Sequence, residues 1–405
     1  MPATFYATLG AVTKRLGEGA FSSVVLQESS GDVLHTSREF AVKDETRVAP
    51  GCAASFLGLP SMSGAKLNFA ASKLAKMVGS GHVIAENGVA LDGGEVKVCM
   101  EVVKGQDVDE FLKWLDRPTS KLYRVFHPAP TDAQGVARAE KLRLQLVSGL
   151  NRLAWADAFS GEVDRHLGNV MVCINLDQET VDVVGIDNEQ GFAPNCTGLS
   201  KAVYSRRHFE AICNRFVKNR QAFVEYGQTV LQEEINVSEK AFLKLFTENA
   251  DGTYTPKYSH KLTAGENLLL SRTCGINSSR TPAFIMKDQL DKLLELDELI
   301  AAWRKGKAKT NLKHHPLVKE LFPILVTGNR ADDIAIAKAI ISRADSVIAH
   351  AKKLKKDGLV IVGDAAHKVE DLAVMKRVAK GNKARHDIDC YQSLDLAEIV
   401  LKRLV

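Results

Sequence analysis

The chain has 405 residues, of which 45% are hydrophobic and 25% charged, and its formal net charge at pH 7 is +5. These values exclude a disordered or collagen-like chain and are those of an ordinary globular protein with two or three domains. The seven cysteines are scattered, with no Cys-x-x-Cys pair and no Cys/His cluster. We therefore expect reduced thiols and no zinc site.

The sequence also bears on where the protein acts. It contains no run of roughly 18 to 20 apolar residues, and its first residues lack the charged and apolar regions of a signal peptide. We therefore expect no transmembrane segment and a soluble, cytoplasmic protein. Secretion into a host cell, as a bacterial effector that carries no cleavable signal, stays open as an alternative.

The first distinctive segment is a glycine-containing turn between two runs of alternating apolar residues. Gly17 and Gly19 lie in this turn, where the lack of a Cβ lets the backbone approach phosphate groups. A third short strand, 38–43, ends at Lys43. In protein kinases a glycine loop is followed by a strand lysine that contacts the nucleotide phosphates, so we predict a nucleotide site here. A surface lysine after an ordinary turn is the alternative.

A hinge is predicted further along the chain. An amphipathic helix over 67–78 is followed by two strands, and residues 98–105 have the pattern of an edge strand that enters an interdomain hinge. Main-chain groups of Glu101 and Val102 would then hydrogen-bond the edge of an adenine ring. A plain strand that leads into a loop fits the same residues.

Most of the remaining sequence has helical periodicity. Residues 118–135 are predicted to be irregular, and 359–362 to form a short strand or buried turn. Residues 303–313 are the predicted linker, and the 137–155 helix is expected to lie beneath a hairpin at 164–192. The predicted helices are 107–115, 137–155, 206–219, 220–234, 238–249, 286–303, 331–356, 371–380 and 394–404.

Charge is distributed unevenly between the body and the tail. Residues 301–405 contain 21 Lys and Arg against 12 Asp and Glu, a net charge of +9, whereas the first 300 residues carry −4. A basic C-terminal region of this kind could bind an anionic partner. Solvated lysines, or cations that complement the negative end of a helix, explain the same residues without a partner.

The hairpin at 164–192 is the segment around which the rest is organised. Two β-type runs flank a polar turn at 175–180, so the pairing brings Asp164 and Asn169 close to Asp187. Carboxylate and amide oxygens hold Mg²⁺ beside a nucleotide phosphate, and a free carboxylate can orient an attacking hydroxyl. A solvated hairpin with ordinary capping acids is the alternative.

These residues resemble a known family. The motif Asp-Arg-His-Leu-Gly-Asn at 164–169, followed by Ile-Asp-Asn at 186–188, is similar to the catalytic and metal-binding loops of the phosphatidylinositol 3- and 4-kinase-like branch of the protein-kinase superfamily, especially type II phosphatidylinositol 4-kinases. The resemblance covers roughly residues 10–230. It implies a kinase that uses ATP and Mg²⁺.

The resemblance also implies roles for individual residues. Asp164 would handle the acceptor hydroxyl, Asn169 and Asp187 would hold Mg²⁺, and Lys43 would pair with the phosphates. His166 would act as a base or stabilise charge in the transition state, although a buried structural histidine is the alternative. Arg165 is expected to brace the loop.

Four positions depart from the family pattern. Asn68 occupies the position of the helix glutamate that usually pairs with the strand lysine. Either Glu86, Glu101 or another acid is expected to replace it, or Lys43 is held in a different way. Ser22 replaces the last glycine of the loop, and Asn188 and Glu189 replace the usual Phe-Gly of the metal motif. A weak kinase, a partner-activated kinase or a pseudokinase follows as an alternative.

Together these observations predict an α+β, bilobal protein-kinase-like fold. The expected parts are a β-rich N-lobe at 1–104, a helical C-lobe at 105–302 and a basic helical region at 303–405. The predicted reaction transfers the γ-phosphate of ATP to a protein Ser or Thr hydroxyl, as in the actin-fragmin kinase type. A phosphoinositide acceptor, or a pseudokinase scaffold that binds an anionic partner through its basic tail, are the alternatives.

Overall fold

A computed structural model gives the fold of most of the chain as a mixed α+β structure, with a β-rich N-terminal part and long helices in the C-terminal part. The predicted α+β class, with a β-rich N-terminal part and a helical C-terminal part, is confirmed. The predicted helices at 206–219, 220–234 and 394–404 lie outside the described residues. Those residues are 6–7, 9–18, 23–29, 39–44, 63–92, 95–162, 165, 167–189, 191–192, 246–256, 282–306, 311–363 and 368–380.

The N-terminal part is a six-stranded sheet with the strand order β1-β5-β6-β4-β3-β2. Neighbouring strands are antiparallel except β1 and β5, which are parallel. The expectation that residues 98–105 begin as an edge strand is wrong, because β6 pairs with β5 on one side and β4 on the other. The strands are β1 (Tyr6–Ala7), β2 (Leu9–Glu18), β3 (Ser23–Ser29), β4 (Glu39–Asp44), β5 (Asn87–Asp92) and β6 (Glu95–Glu101).

Smaller sheets follow in the chain. The first has three antiparallel strands, β7 (Gln106–Asp107), β8 (Val170–Asn175) and β9 (Thr180–Gly185). The next pairs β10 (Phe246–Glu248) with β11 (Tyr254–Pro256). The predicted helix at 238–249 is therefore wrong over β10, because an Asp-Gly turn at 251–252 favours a hairpin. The last pairs β12 (Ile285–Met286) with β13 (Val360–Ile361) in parallel.

The helices agree with the predicted positions except at 118–135 and at 316–325, where a helix that begins at Pro316 had not been predicted. Ser120 and Asp132 accept hydrogen bonds from main-chain N–H groups and so begin the two helices found within 118–135. No helix in the described part of the chain is long and apolar enough to cross a membrane. The helices are α1 (Ser63–Met77), α2 (Val108–Leu115), α3 (Lys121–Phe126), α4 (Ala133–Ser160), α5 (Lys287–Lys305), α6 (Pro316–Leu325), α7 (Arg330–Lys356) and α8 (Lys368–Lys380).

Helix α4 lies beneath the β8–β9 hairpin, as predicted. Leu146, Leu150 and Leu153 face the core from this helix and are almost fully buried. Gly149 allows the close approach, because a Cβ at this position would lie 2.7 Å from Cγ2 of Val183 on β9. The hairpin is therefore held in place by the helix that leads directly into the 164–169 motif.

The C-terminal helices belong to the same hydrophobic core as α1 and α4. On α6, Leu317, Val318 and Leu321 are fully buried. Lys73 on α1 donates to the carbonyl of Glu320 at 3.1 Å and pairs with its carboxylate at 3.0 Å. Residues beyond the predicted linker thus pack on a helix of the N-terminal part. The boundaries at 104 and 302 stay predictions.

A buried histidine at the start of α6 leads to a prediction about pH. The ring of His315 is fully buried, lies edge-on to Trp303 with centroids 4.9 Å apart, and has no hydrogen-bond partner among the described residues. Burial lowers the pKa of His315 to about 4, an effect that nearby Asp345 opposes and Arg304 reinforces. The unfolded chain therefore binds a proton that the folded chain rejects.

We expect the free energy of unfolding to be at its full value above pH 6.5 and to fall by roughly 3 kcal/mol between pH 6.5 and 4, because protonation of His315 favours the unfolded state. His315→Phe should flatten this part of the profile, since it keeps a ring against Trp303 without a titrating nitrogen. Urea unfolding at several pH values measures both. Parallel profiles for the two proteins would contradict the prediction.

Candidate functional site

The hairpin brings two of the predicted metal residues to one end. Val170 pairs with Gly185, and the N–H of Ile186 donates to the carbonyl of Asn169 at 3.0 Å. Asn169 ends a short 3-10 helix at 167–169, and Asp187 follows Ile186 directly. The convergence expected from the sequence is therefore present for this pair. Asp164 and His166 lie outside the described residues, so their placement stays a prediction.

Arg165 braces this end of the hairpin from inside the core. Its guanidinium forms two hydrogen bonds with the carboxylate of Asp157, at 3.0 and 3.1 Å, and both side chains are at most 3% exposed. It also donates to the carbonyls of Asn169 at 3.1 Å and Ile186 at 2.6 Å. Burial alone would lower the pKa of Arg165, but the Asp157 carboxylate raises it. The bracing role expected from the sequence agrees with these contacts.

Lys43 connects the N-terminal sheet to the hairpin. Its Nζ lies 2.7 Å from Oδ1 of Asp187 and 2.8 Å from Oε2 of Glu189, and its side chain is only 12% exposed. Lys43 is near the end of β4 and pairs with Val24 and Val98 on its two neighbouring strands. The sheet therefore directs the lysine at the loop that follows β9. Lys43 and the two carboxylates therefore form an enclosed charged site whose residues come from distant parts of the sequence.

The loop after β9 is held in an uncommon conformation. Asp187 has a φ of +57°, in the left-handed region that non-glycine residues seldom adopt. Asn68 on α1 accepts a hydrogen bond from the main-chain N–H of Asn188 at 2.6 Å, and Arg165 donates to the side-chain oxygen of Asn188. The loop is thus fixed from the N-terminal helix and from the core. This fixation keeps the Asp187 carboxylate next to Lys43.

The acids named from the sequence as partners for Lys43 lie elsewhere. Glu86 forms an ion pair with Lys76, and the Glu101 carboxylate contacts His82 at 2.8 Å. The open third possibility, another acid, is met by Glu189. In the sequence, Glu189 stands out only as a departure from the metal motif. The sequence feature that could have identified Glu189 as the partner of Lys43 is its position, two residues after Asp187 on a segment expected to end beside the lysine.

The predicted hinge follows directly after β6. The N–H of Glu101 donates to the carbonyl of Glu86 at 2.9 Å, so this donor is already used. Among the described residues, the main-chain groups of Val102 and Val103 have no hydrogen-bond partner. Of the predicted phosphate-loop glycines, Gly17 lies near the end of β2 opposite Val24, and Gly19 is outside the described residues. The hinge and loop assignments stay predictions.

Comparisons with known proteins add the following. No family model and no curated protein matches the sequence. Among solved structures, the chain is similar to the Helicobacter pylori proinflammatory kinase CtkA, with a TM-score of 0.38 and 10% sequence identity over 87% of this chain and 97% of that chain.

Two features outside the loop bear on the predicted partners. Within the described residues, no group of three or more His, Cys, Asp or Glu side chains is arranged to hold a metal ion. In the predicted basic region, Lys352 pairs with Asp297 at 2.6 Å and Lys353 with Asp357 at 2.5 Å. These lysines have acidic partners within the chain, and an anionic partner for the region stays a prediction.

The C-terminal region also contacts the end of helix α4. Arg343 on α7 is fully buried and donates to the carbonyls of Phe159, at 3.1 Å, and Ser160. The same Ser160 carbonyl accepts the N–H of Phe192 at 2.6 Å. Gly161 ends α4 with a φ of +69°, and a Cβ there would lie 2.7 Å from Cζ of Arg343. One arginine therefore fixes the end of α4, where the chain turns towards the motif.

We expect Gly161→Ala to lower the free energy of unfolding by about 1 kcal/mol for its left-handed backbone and by about 1 to 3 kcal/mol more for the clash with Arg343. Gly252→Ala is the matched control, since Gly252 has a φ of +73° and open space around it. Equilibrium unfolding in urea compares the two variants. Equal losses would show that Arg343 does not restrict this turn.

Proposed function

We propose that the chain is a kinase that transfers the γ-phosphoryl group of ATP to a hydroxyl. The observation that carries this proposal is the contact of Lys43 with Asp187, at 2.7 Å, at the end of the hairpin that also carries Asn169. A lysine from a strand and a carboxylate from the loop after a hairpin, both facing one site, are the charged groups that phosphoryl transfer requires. The resemblance of the 164–169 motif to the phosphatidylinositol 3- and 4-kinase-like branch agrees with this reading.

The residues at the hairpin end suit Mg²⁺. Asp187 uses one carboxylate oxygen for Lys43 and its side chain is 35% exposed, so an oxygen ligand remains accessible. Asn169, on the adjacent segment, is the second predicted ligand and carries an amide oxygen. Such hard oxygen donors are the ligands that Mg²⁺ binds beside nucleotide phosphates. When bound there, Mg²⁺ would neutralise the charge that develops on the phosphate oxygens.

Each protein group then has a defined task. Lys43 binds the α- and β-phosphates as a point charge. Asp164 accepts the proton of the acceptor hydroxyl while the hydroxyl oxygen forms a bond to the γ-phosphorus. The bond between that phosphorus and the β,γ-bridging oxygen breaks, and ADP leaves. His166 is the second candidate for the proton or for stabilising charge. The main-chain groups at Val102 and Val103 would bind the adenine edge.

The acceptor is proposed to be a Ser or Thr hydroxyl of a protein, with a phosphoinositide as the second candidate. Incubation of the full chain with Mg²⁺ and γ-labelled ATP, with either cell-extract protein or mixed phosphoinositide vesicles, tests both. Label in protein supports the proposal, and label in lipid alone would move the acceptor to phosphoinositides. No transfer of label and no consumption of ATP would overturn the kinase assignment. Asp164→Asn serves as the inactive control.

A further inference from the structure

We propose that Glu189 is the residue that positions Lys43, and that helix α1 acts on the same loop through Asn68. This inference rests on the proposed function, in which Lys43 binds the nucleotide phosphates. The usual arrangement in kinases pairs the strand lysine with a glutamate from the helix. Here the lysine partner comes from the loop that also carries the metal carboxylate, and the helix supplies an amide that holds this loop.

Asn68 is unsuited to pair with the lysine. Its side chain is uncharged and 2% exposed, and both of its polar atoms are used, with Oδ1 accepting from the N–H of Asn188 and Nδ2 donating to the carbonyl of Gly64 at 3.0 Å. A hydrogen bond to Asn188 nevertheless links helix α1 to the loop. Movement of α1 would therefore shift the loop, as movement of a glutamate-bearing helix shifts the lysine in other kinases.

Glu189 and Asp187 differ in how accessible they are. The Glu189 side chain is 11% exposed, against 35% for Asp187, and both lie within 2.8 Å of Lys43. The more exposed carboxylate can exchange its lysine contact for a metal ion, whereas the enclosed one keeps its contact. Glu189 thus lets Lys43 stay in place while Asp187 binds Mg²⁺. Without it, the lysine and the metal would compete for one carboxylate.

This competition gives a readout that a purely structural role would not produce. Glu189→Gln should raise the Mg²⁺ concentration needed for half-maximal turnover and the KM for ATP, each by about tenfold. The reason is that Lys43 then pairs with Asp187 alone and competes with Mg²⁺ for its carboxylate. In a Lys43→Met background the same substitution should change neither value further. Glu298→Gln, at an exposed position on α5, is the matched control and should leave both values unchanged.

Thermal unfolding without nucleotide tests the pair independently of activity. Lys43→Met leaves Glu189 enclosed without its lysine and should lower the melting temperature, and adding Glu189→Gln should restore part of the loss. Additive effects of the two substitutions would overturn the pairing. Unchanged Mg²⁺ and ATP dependence in Glu189→Gln would overturn the positioning role. A wild-type chain that fails to bind ATP but shows the non-additive unfolding would instead overturn the proposed function and keep the pair.

Discussion

Asp187→Asn should reduce Mg²⁺-dependent ATP turnover by at least about a hundredfold while the chain stays folded. Removal of one preorganised charged group from a reacting centre costs on the order of a hundredfold to a thousandfold in rate. Asparagine has the same shape as aspartate and tolerates the left-handed backbone at this position, where φ is +57°. The substitution therefore removes the carboxylate charge and little else. Lys43 keeps its contact with Glu189 at 2.8 Å.

Asp182→Asn is the matched control for this substitution. Asp182 is an exposed residue on β9 of the same hairpin, so the same chemical change is made away from the site. Steady-state turnover at saturating Mg²⁺ and the melting temperature should be measured for both variants. Full activity in Asp187→Asn would show that the metal residue has been assigned wrongly.

Arg165→Met should lower the free energy of unfolding by about 3 to 5 kcal/mol. The substitution removes the guanidinium that pairs with the buried Asp157 carboxylate, and breaking a buried ion pair from one side has this cost. It also removes the donors to the carbonyls of Asn169 and Ile186, which lie 3.1 and 2.6 Å from the guanidinium. Equilibrium unfolding in urea measures the loss.

Arg304→Met makes the same chemical change in an exposed ion pair. Arg304 and Asp345 are 48% and 42% exposed, so we expect a loss of at most about 1 kcal/mol. Comparable losses in the two variants would mean that the buried contacts of Arg165 do not hold the hairpin end. A large loss in Arg165→Met alone supports the bracing role.

The hairpin was predictable because the residues that specify it are neighbours in the sequence. Alternating β-branched residues on both sides of a polar turn specify two antiparallel strands, and the side chain of Asn175 accepts from the N–H groups of Asp177 and Gln178 at 3.0 Å to form that turn. Pairing of the strands then necessarily brings Asn169 near Asp187. The long amphipathic helices were predictable for the same reason, since their apolar stripes follow from residue spacing alone.

The partners of Lys43 were not predictable, because they depend on contacts across the fold. Glu189 is 146 residues away in sequence, and the register of β4 beside β6 determines where the lysine side chain ends. The family pattern places the partner of the strand lysine on the helix, at Asn68, and not in the loop. The two helices that begin within 118–135 did have a local signal, because Ser120 and Asp132 are residue types that cap helices.

The role of the C-terminal region was also hidden in the sequence. Its excess of lysines suggested a basic tail with an anionic partner, since charge is visible in composition whereas packing is not. In the structure, α6 packs on α1, and Arg343 from α7 fixes the end of α4. A single arginine within a helical stripe gives no sequence signal that it is fully buried. The region is thus part of the support of the candidate site.

ATP binding measured by calorimetry, with and without Mg²⁺, tests the central claim most directly. The full chain should bind ATP, Mg²⁺ should tighten the binding, and Lys43→Met should weaken it by about tenfold or more, because an enclosed cation is lost from the phosphate site. Asp187→Asn should bind ATP with little response to Mg²⁺. A wild-type chain that binds no ATP under either condition, or binds it with no response to Mg²⁺, would contradict the proposed phosphotransfer site.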